Sequence, residues 1–311
     1  MHLDLEVQSG TNEQCPGDSA DTLEEGVTST SPVSLLILDL DNTLYDWVGY
    51  FVPSLDAMLK SASVILGTPE DVLRDSIRDV HAHYGNTEHP FALLEARVVT
   101  DATAHMTRTE RFDHLRAAFE AFDAEKAAKL KLYDGVRETL ETIRAAGATI
   151  VAHTDAASVS ARSRVKILGL DAYISRVYAT AFEGGSHPNP RTEGSSSVSD
   201  IVELGAGERK PNPAAVNKIL DDYRCPPHRA LYVGDNENKD LLMAHSAGVR
   251  GAWAEYGTHH DPALWARLLE FTHWRVSNTP TDDPSGQFID NSRTTLAQFG
   301  DLVEIFTFQP L

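Results

Sequence analysis

The stretch LLILDLDNTLYDW, residues 35–47, constrains the fold more than any other part of the chain. Four aliphatic residues, Leu35 to Leu38, run without polar alternation into Asp39, a single Leu, and Asp41. A run this short and uniformly apolar suits a central strand of a parallel sheet, covered on both faces. Carboxylates are costly to desolvate, so a strand that ends in two of them needs compensation from elsewhere in the chain.

The remaining segments repeat the pattern of apolar strand and polar end. After Val48 helical spacing dominates as far as Lys131, in VPSLDAMLKSASVIL, PEDVLRDSIRDVHAHY, HPFALLEARVV and RFDHLRAAFEAF. Thr68 and Pro69 read there as a helix start, with Thr68 as cap. VRETLETIRAAG is then an amphipathic helix stopped by Gly147, and ATIVAHTD a second buried strand. ASVSARSRVKILG is a helix and YISRVYAT a strand; PAAVNKILDDY, RALYVGD, NKDLLMAHSAG and VRGAWAEY continue the alternation. This order predicts an α/β fold, a doubly wound parallel sheet with a smaller all-helical block inserted after the first strand.

Residues 1–31 carry seven acids and no Lys or Arg, and read as a mobile leader. Residues 183–207, rich in Gly, Ser and Pro, read as a flexible insertion or flap. In the tail, VSNTPTDDPSGQ reads as a loop and TTLAQFGDLVEIF as a closing amphipathic helix. The expected division is a leader (1–31), a core (32–46 and 132–270), a helical domain (47–131) and a C-terminal extension (271–311).

The net charge of −19 remains strongly negative without the leader, which argues against nucleic-acid polymers and anionic membranes as partners. No segment reaches 18 uninterrupted apolar residues. Cys15 and Cys225 fit no disulfide framework and no CxxC spacing, so a cytoplasmic location is expected. Nothing in the sequence bears on oligomeric state.

In doubly wound sheets ligands bind beyond the carboxyl ends of the strands. That rule gathers DLDNT (39–43), AHTD (152–155), RKPNP (209–213) and GDNENKD (234–240) at one edge. Asp39 offers a carboxylate nucleophile, Asp41 an acid and base, Thr154 a hydroxyl, Lys210 a cation, and Asp235 and Asp240 further carboxylates. Converging carboxylates repel one another unless a hard divalent cation is present, and Mg²⁺ prefers such oxygen ligands.

The four motifs, in this order and spacing, resemble those of the haloacid dehalogenase (HAD) superfamily of phosphohydrolases. The likeness covers about residues 34–256, with the helical block where that family inserts a cap on its Rossmann-like core. It implies a Mg²⁺-dependent phosphatase acting on a small phosphorylated metabolite, with a leaning towards nucleoside monophosphates and with sugar or glycolate phosphates also open. Asp39 would form an aspartyl-phosphate, and Asp41 would protonate the leaving alcohol and then deprotonate water. Thr154 and Lys210 would hold the phosphoryl oxygens. Asp39, the Asp41 carbonyl and Asp235 would hold the metal, with Asp240 as outer ligand or as partner of Lys210. Asn42 and Thr43 would fix the loop beside the phosphate, and Gly234 would allow a sharp turn at the strand end. Asp41 separates this sequence from the dehalogenating branch, which lacks an acid there. Two positions depart from the pattern: Asp155, where Asn is common, and Lys239, also commonly Asn. Asp155 can lie beside the phosphate or cap the following helix.

Each motif has a plainer explanation when taken alone. An isolated DxD caps turns, Thr154 is an ordinary strand-end hydroxyl, and Lys210 an ordinary surface lysine; only their co-occurrence carries the catalytic reading. His81, His83, His259 and His260 lack further ligands for zinc. Trp47, Tyr50 and Phe51 either line the substrate entrance or pack internally. His153 should point away from Thr154, to the other face of the strand. A non-catalytic binding or regulatory protein on the same scaffold, or a phosphotransferase, stays open as an alternative.

Overall fold

Strand β1 (Leu35–Leu38) occupies the middle of the sheet, and its four side chains divide between two cores. Leu36 and Leu38 pack with Ile150, Ala152, Leu231 and Val233 on one face. Leu35 and Ile37 pack with Val151, Ala230 and Tyr232 on the other. Alternate side chains of a strand point to opposite faces, so an unbroken apolar run fits only a sheet covered on both sides. The computed structural model describes residues 31–182, 200–272 and 293–311, and the leader lies outside them apart from Ser31.

The remaining strands are β2 (Thr149–Ala157), β3 (Arg176–Thr180), β4 (Asp200–Leu204), β5 (Ala230–Gly234), β6 (Arg250–Ala254) and β7 (Thr294–Leu296). All pair in parallel, in the order β4-β3-β2-β1-β5-β6-β7. The chain steps outward from β1 to β4, then returns to the other side of β1 to begin β5. This reversal puts the ligand-binding crevice of an open α/β sheet at the carboxyl ends of β1 and β5.

Seven helices separate β1 from β2, and the first six form the helical block: α1 (Trp47–Leu66), α2 (Glu70–Tyr84), α3 (Ala92–Glu95), α4 (Arg97–Ala102), α5 (Arg108–His114) and α6 (Arg116–Lys129). Asp46 caps α1 by accepting from Gly49 N at 2.8 Å, and Gly67, with φ +64°, ends it. Thr107 and Glu110 form a reciprocal capping box on α5. The expected cap on α2 is absent: Pro69 holds the cap position with ψ 144°, so the helix starts at Glu70 and Thr68 lies outside it. Helices α7 (Val136–Ala145), α8 (Ser158–Leu168), α9 (Ala214–Tyr223), α10 (Leu242–Ser246), α11 (Pro262–Phe271) and α12 (Asp301–Ile305) complete the fold. Arg267 of α11 reaches Asp56 of α1 at 2.7 Å, tying the helical block to the end of the sheet unit. No helix among the described residues is long and apolar enough to cross a membrane.

Two expectations need correction. The end of the predicted flap is β4, held against β3 in register Arg176↔Asp200 and by the Arg176–Asp200 ion pair. Five strand residues, DIVEL, were masked by the Gly/Ser/Pro composition before them; 183–199 lie outside the described residues, as does the expected loop at 276–287. The predicted closing helix over 294–306 splits into β7 and the short α12. Thr294 and Thr295 are β-branched and pair with β6, and the Asp301 carboxylate accepts from Ala297 N (2.8 Å) and Gln298 N (3.1 Å) to close the intervening turn. The tail therefore extends the same sheet.

Candidate active site

The backbone leaves β1 with Asp39 N donating to Val233 O at 2.9 Å, which locks the first carboxylate beside the end of β5. Asn42 then adopts φ +58°, a left-handed conformation that Asn tolerates better than most residues. Its side chain accepts from Trp47 N at 3.1 Å and ties the loop to the start of α1. Thr43 Oγ1 donates to Asp39 Oδ2 at 3.2 Å. From the far side Tyr256 donates its hydroxyl to Thr43 O at 2.6 Å. Gly257 lies so close that a Cβ there would be 1.8 Å from Asn42 O. Only glycine fits against this loop, a constraint that its motif does not reveal.

Lys210 supplies the main compensation. Its ammonium is buried, contacts Asp39 Oδ1 closely and lies 2.8 Å from Asp240 Oδ1. Burial works against its charge, but Asp240 and Asp39 outweigh that and hold its pKa well above the usual lysine value. Asp240 sits on a π-helical turn, Glu237–Leu241, a device common at functional sites. Gly234 stays within β5, so no sharp turn is made there; its role is close approach, since a Cβ would lie 2.3 Å from Asp240 Oδ2.

Carboxylate oxygens of Asp39, Asp235 and Asp240 lie within 4.8 Å of one another. Burial pushes the Asp39 pKa up to about 7; Lys210 opposes this, and Asp240 and Asp41 add to it. Asp235 is held well above its ordinary value by burial and then by Asp39 and Asp240. One ammonium among three converging carboxylates leaves negative charge uncompensated. The donors are all oxygens, the ligand set that suits Mg²⁺, so the residues fit a hard divalent cation.

Thr154 is buried within β2, three residues before its end rather than at the strand end expected, and the register Leu38↔Ala152 sets it level with Leu40, beside the aspartate loop. Its Oγ1 accepts from Ala156 N at 3.1 Å, within a register shift between Thr154 and Ala157. Such bulges re-aim side chains next to active sites. Asp155 does not cap α8, whose cap position is Ala157 with no side-chain bond. Instead Asp155 accepts from Lys210 N at 3.1 Å and pairs with Lys239 Nζ at 3.4 Å. The two departures from the family pattern therefore answer each other: the extra negative charge meets an extra positive one. His153 turns to the other face, its Nδ1 3.1 Å from the Tyr232 hydroxyl, and burial pushes its pKa down to about 3. His81 Nδ1 lies 2.8 Å from Phe271 O, and His260 stacks on Trp265; both act in packing.

Asp41 lies outside the three-carboxylate cluster. Its Oδ2 lies 3.2 Å from Arg164 Nη2, a side chain only 2 % exposed. Burial pushes Asp41 up to about 6, with Arg164 opposing and Glu88 adding. Arg164 also binds Glu88 closely and donates to the Tyr50 hydroxyl at 2.7 Å. Glu88 in turn accepts from Trp47 Nε1 at 3.3 Å and Tyr50 at 3.2 Å. Arg164 and Glu88 were not anticipated. A signal for Arg164 existed: Ala161, Arg164, Val165 and Leu168 share the buried face of α8, and an arginine on an apolar stripe requires a partner.

Comparison with known proteins decides the family. Residues 33–248 match the family model described as haloacid dehalogenase-like hydrolase. The chain belongs to that family. A phosphoglycolate phosphatase from Vibrio parahaemolyticus is 26% identical over 240 residues, 77% of this chain and 91% of its own. A glyceraldehyde 3-phosphate phosphatase from Methanopyrus kandleri is 24% identical over 235 residues, 74% and 87% of the two chains. The crystal structure of a 2-haloacid dehalogenase from Pseudomonas syringae superposes with a TM-score of 0.53, covering 88% of this chain and 97% of that one. At 21% identity this last likeness speaks to the fold alone. The protein is thus a HAD hydrolase whose curated relatives include phosphatases, with an α/β core and a helical insertion after its first strand.

Proposed function

We propose that this HAD hydrolase is a Mg²⁺-dependent phosphatase that cleaves small phosphomonoesters through an aspartyl-phosphate. The observation that carries the reading is the division of labour between Asp39 and Asp41. Asp39 has one oxygen held by Lys210 and the other by Thr43, so its carboxylate is fixed in orientation at the strand end. Asp41 faces the helical block with a pKa lifted to about 6, near neutrality, where one group serves as both acid and base.

In the first displacement an Asp39 oxygen bonds to phosphorus as the bond to the leaving oxygen breaks, and Asp41 gives that oxygen its proton. In the second, water attacks phosphorus, Asp41 takes its proton, and the bond to Asp39 breaks to release phosphate and restore the carboxylate. Lys210 and Thr154 would balance charge on the transferring phosphoryl oxygens. Asp39, Asp235 and the Asp41 carbonyl would hold Mg²⁺, which would neutralise phosphate charge, while Asp240 anchors Lys210. The helices between residues 47 and 131 would form the cap domain that excludes water and meets the leaving group. We place the enzyme in the cytoplasm because neither cysteine suits a disulfide framework, Cys225 being a buried free thiol.

Phosphate release from p-nitrophenyl phosphate, with and without Mg²⁺, tests the reading. Asp39→Asn should lower turnover at least about a thousandfold, the scale seen when a nucleophile is removed. Full Mg²⁺-dependent turnover by that variant would rule out the covalent mechanism.

A further inference from the structure

Between α1, α2, α3, α5, α6 and α8 lies a chamber of about 380 Å³. Its walls are predominantly apolar, with Phe51, Leu55, Met58, Phe91, Phe119 and Phe122 facing in. Arg164, Glu88 and Tyr50 also line it, and Arg164 is the residue whose other nitrogen meets Asp41. The chamber therefore begins one side chain away from the proposed proton donor to the leaving oxygen. A leaving alcohol protonated by Asp41 must extend its body towards this side.

The charges of the chamber restrict what that body carries. Arg164 is already matched by Asp41 and Glu88. Lys126 pairs with Asp123 at 2.8 Å and lies over the Phe122 ring. His89 faces Glu95 at 3.4 Å, and His81 contacts a main-chain carbonyl. The two permanent cations lining the chamber, Arg164 and Lys126, thus have acid partners of their own, and a carboxylate entering it would meet two acids at Arg164. Burying an unpaired charge there is unfavourable, whereas ring and hydrocarbon surface is matched on every apolar wall.

We propose that this chamber binds the leaving-group body of an uncharged aromatic or hydrocarbon-rich phosphomonoester, and that compact carboxylated esters are poor substrates. The proposal rests on the phosphatase reading for its orientation, but the ligand class follows from the chamber itself. A two-carbon carboxylate such as that of phosphoglycolate would leave most of about 380 Å³ unfilled.

The test compares kcat/KM for 1-naphthyl phosphate and phosphoglycolate, together with calorimetric binding of 1-naphthol to the Mg²⁺-loaded protein. The expected preference for the naphthyl ester is at least about tenfold, since even single methylenes in apolar pockets give such ratios. Ser163→Trp, built from a half-exposed wall position on α8, should cut that preference about tenfold and abolish naphthol binding. Phe119→Ala should weaken naphthol binding in the same direction, and a melting curve for each variant confirms folding. Equal or better turnover of phosphoglycolate, or no naphthol binding by the folded protein, overturns the proposal. Naphthol binding that Ser163→Trp abolishes, without turnover of any ester, supports the chamber assignment and overturns the phosphatase reading instead.

Discussion

The carboxylate cluster at the strand ends and the aromatic chamber among the helices adjoin each other, yet they are built on opposite principles. The cluster comes from four short motifs, each a strand or loop end delivered by the sheet, with three carboxylates gathered near the single ammonium of Lys210. The chamber comes from side chains scattered over six helices and the segment before α3. Chemistry is fixed by the first and selection by the second. A parallel sheet has one crevice, whereas helices can be repacked around a cavity without disturbing it.

Arg164 is where the two regions touch, and removing it should give the largest separable effect. In Arg164→Gln, Asp41 and Glu88 lose the cation that matches them. Breaking a buried ion pair costs about 3–5 kcal/mol, and the lower end applies here because Asp41 keeps 23% of its side-chain surface. The same change should raise the Asp41 pKa beyond about 6, since burial would no longer be opposed by the guanidinium. Chemical denaturation should show the stability loss, and kcat against pH should show a limb shifted to higher pH. A stability loss with an unmoved pH profile would reduce Arg164 to packing alone and detach the chamber from the chemistry.

The same contrast explains what could be read from the sequence. Leu35–Leu38, the order of strands and helices, and the convergence of Asp39, Asp235 and Lys210 follow from local pattern and the strand-end rule. Arg164 and Glu88 are 76 positions apart, and their pairing depends on how α8 meets the turn before α3, which no local period encodes. Gly257 fails for another reason: its constraint is a backbone approach to Asn42, visible only once the loop is folded. The tail shows the limit of periodicity itself. Thr294–Leu296 completes a helical pattern on paper, but a free sheet edge at β6 offers it ladder hydrogen bonds.

A divalent cation should act on the cluster and leave the chamber unchanged, with an effect smaller than loss of Arg164. Asp39, Asp41 and Asp235 all have pKa values raised by burial. For a raised carboxylate the fold retains protons that the unfolded chain has released; the Asp39 contribution is therefore fully present below about 3.8 and is lost as pH rises to about 7. His153 acts in the opposite sense: its folded value is about 3 against 6.5, so it lowers stability as pH falls below 6.5. Comparing melting with and without Mg²⁺ cancels the histidine and isolates the carboxylates. Mg²⁺ should raise the melting temperature more at pH 8 than at pH 5, where protons compete for the same oxygens. An equal or larger gain at pH 5 would mean that the cation binds elsewhere.

The smallest effect should come from the edge of the cluster, where Lys239 meets Asp155. Lys239 is 52% exposed and its partner 32%, so the pair is screened by water and Lys239→Ala should cost less than about 1 kcal/mol. Asp155→Ala should cost more than Lys239→Ala, because the Asp155 carboxylate also accepts from the main-chain N–H of Lys210 and so helps set the lysine that faces Asp39. Urea melts of the two variants should therefore differ although they break the same ion pair. Steady-state kinetics extend the comparison: loss of Lys239 should leave KM within about twofold, as for a screened surface charge. A several-fold rise in KM would place Lys239 against the substrate, and the ligand-facing boundary of the cluster would then reach beyond the strand ends to the π-helical turn.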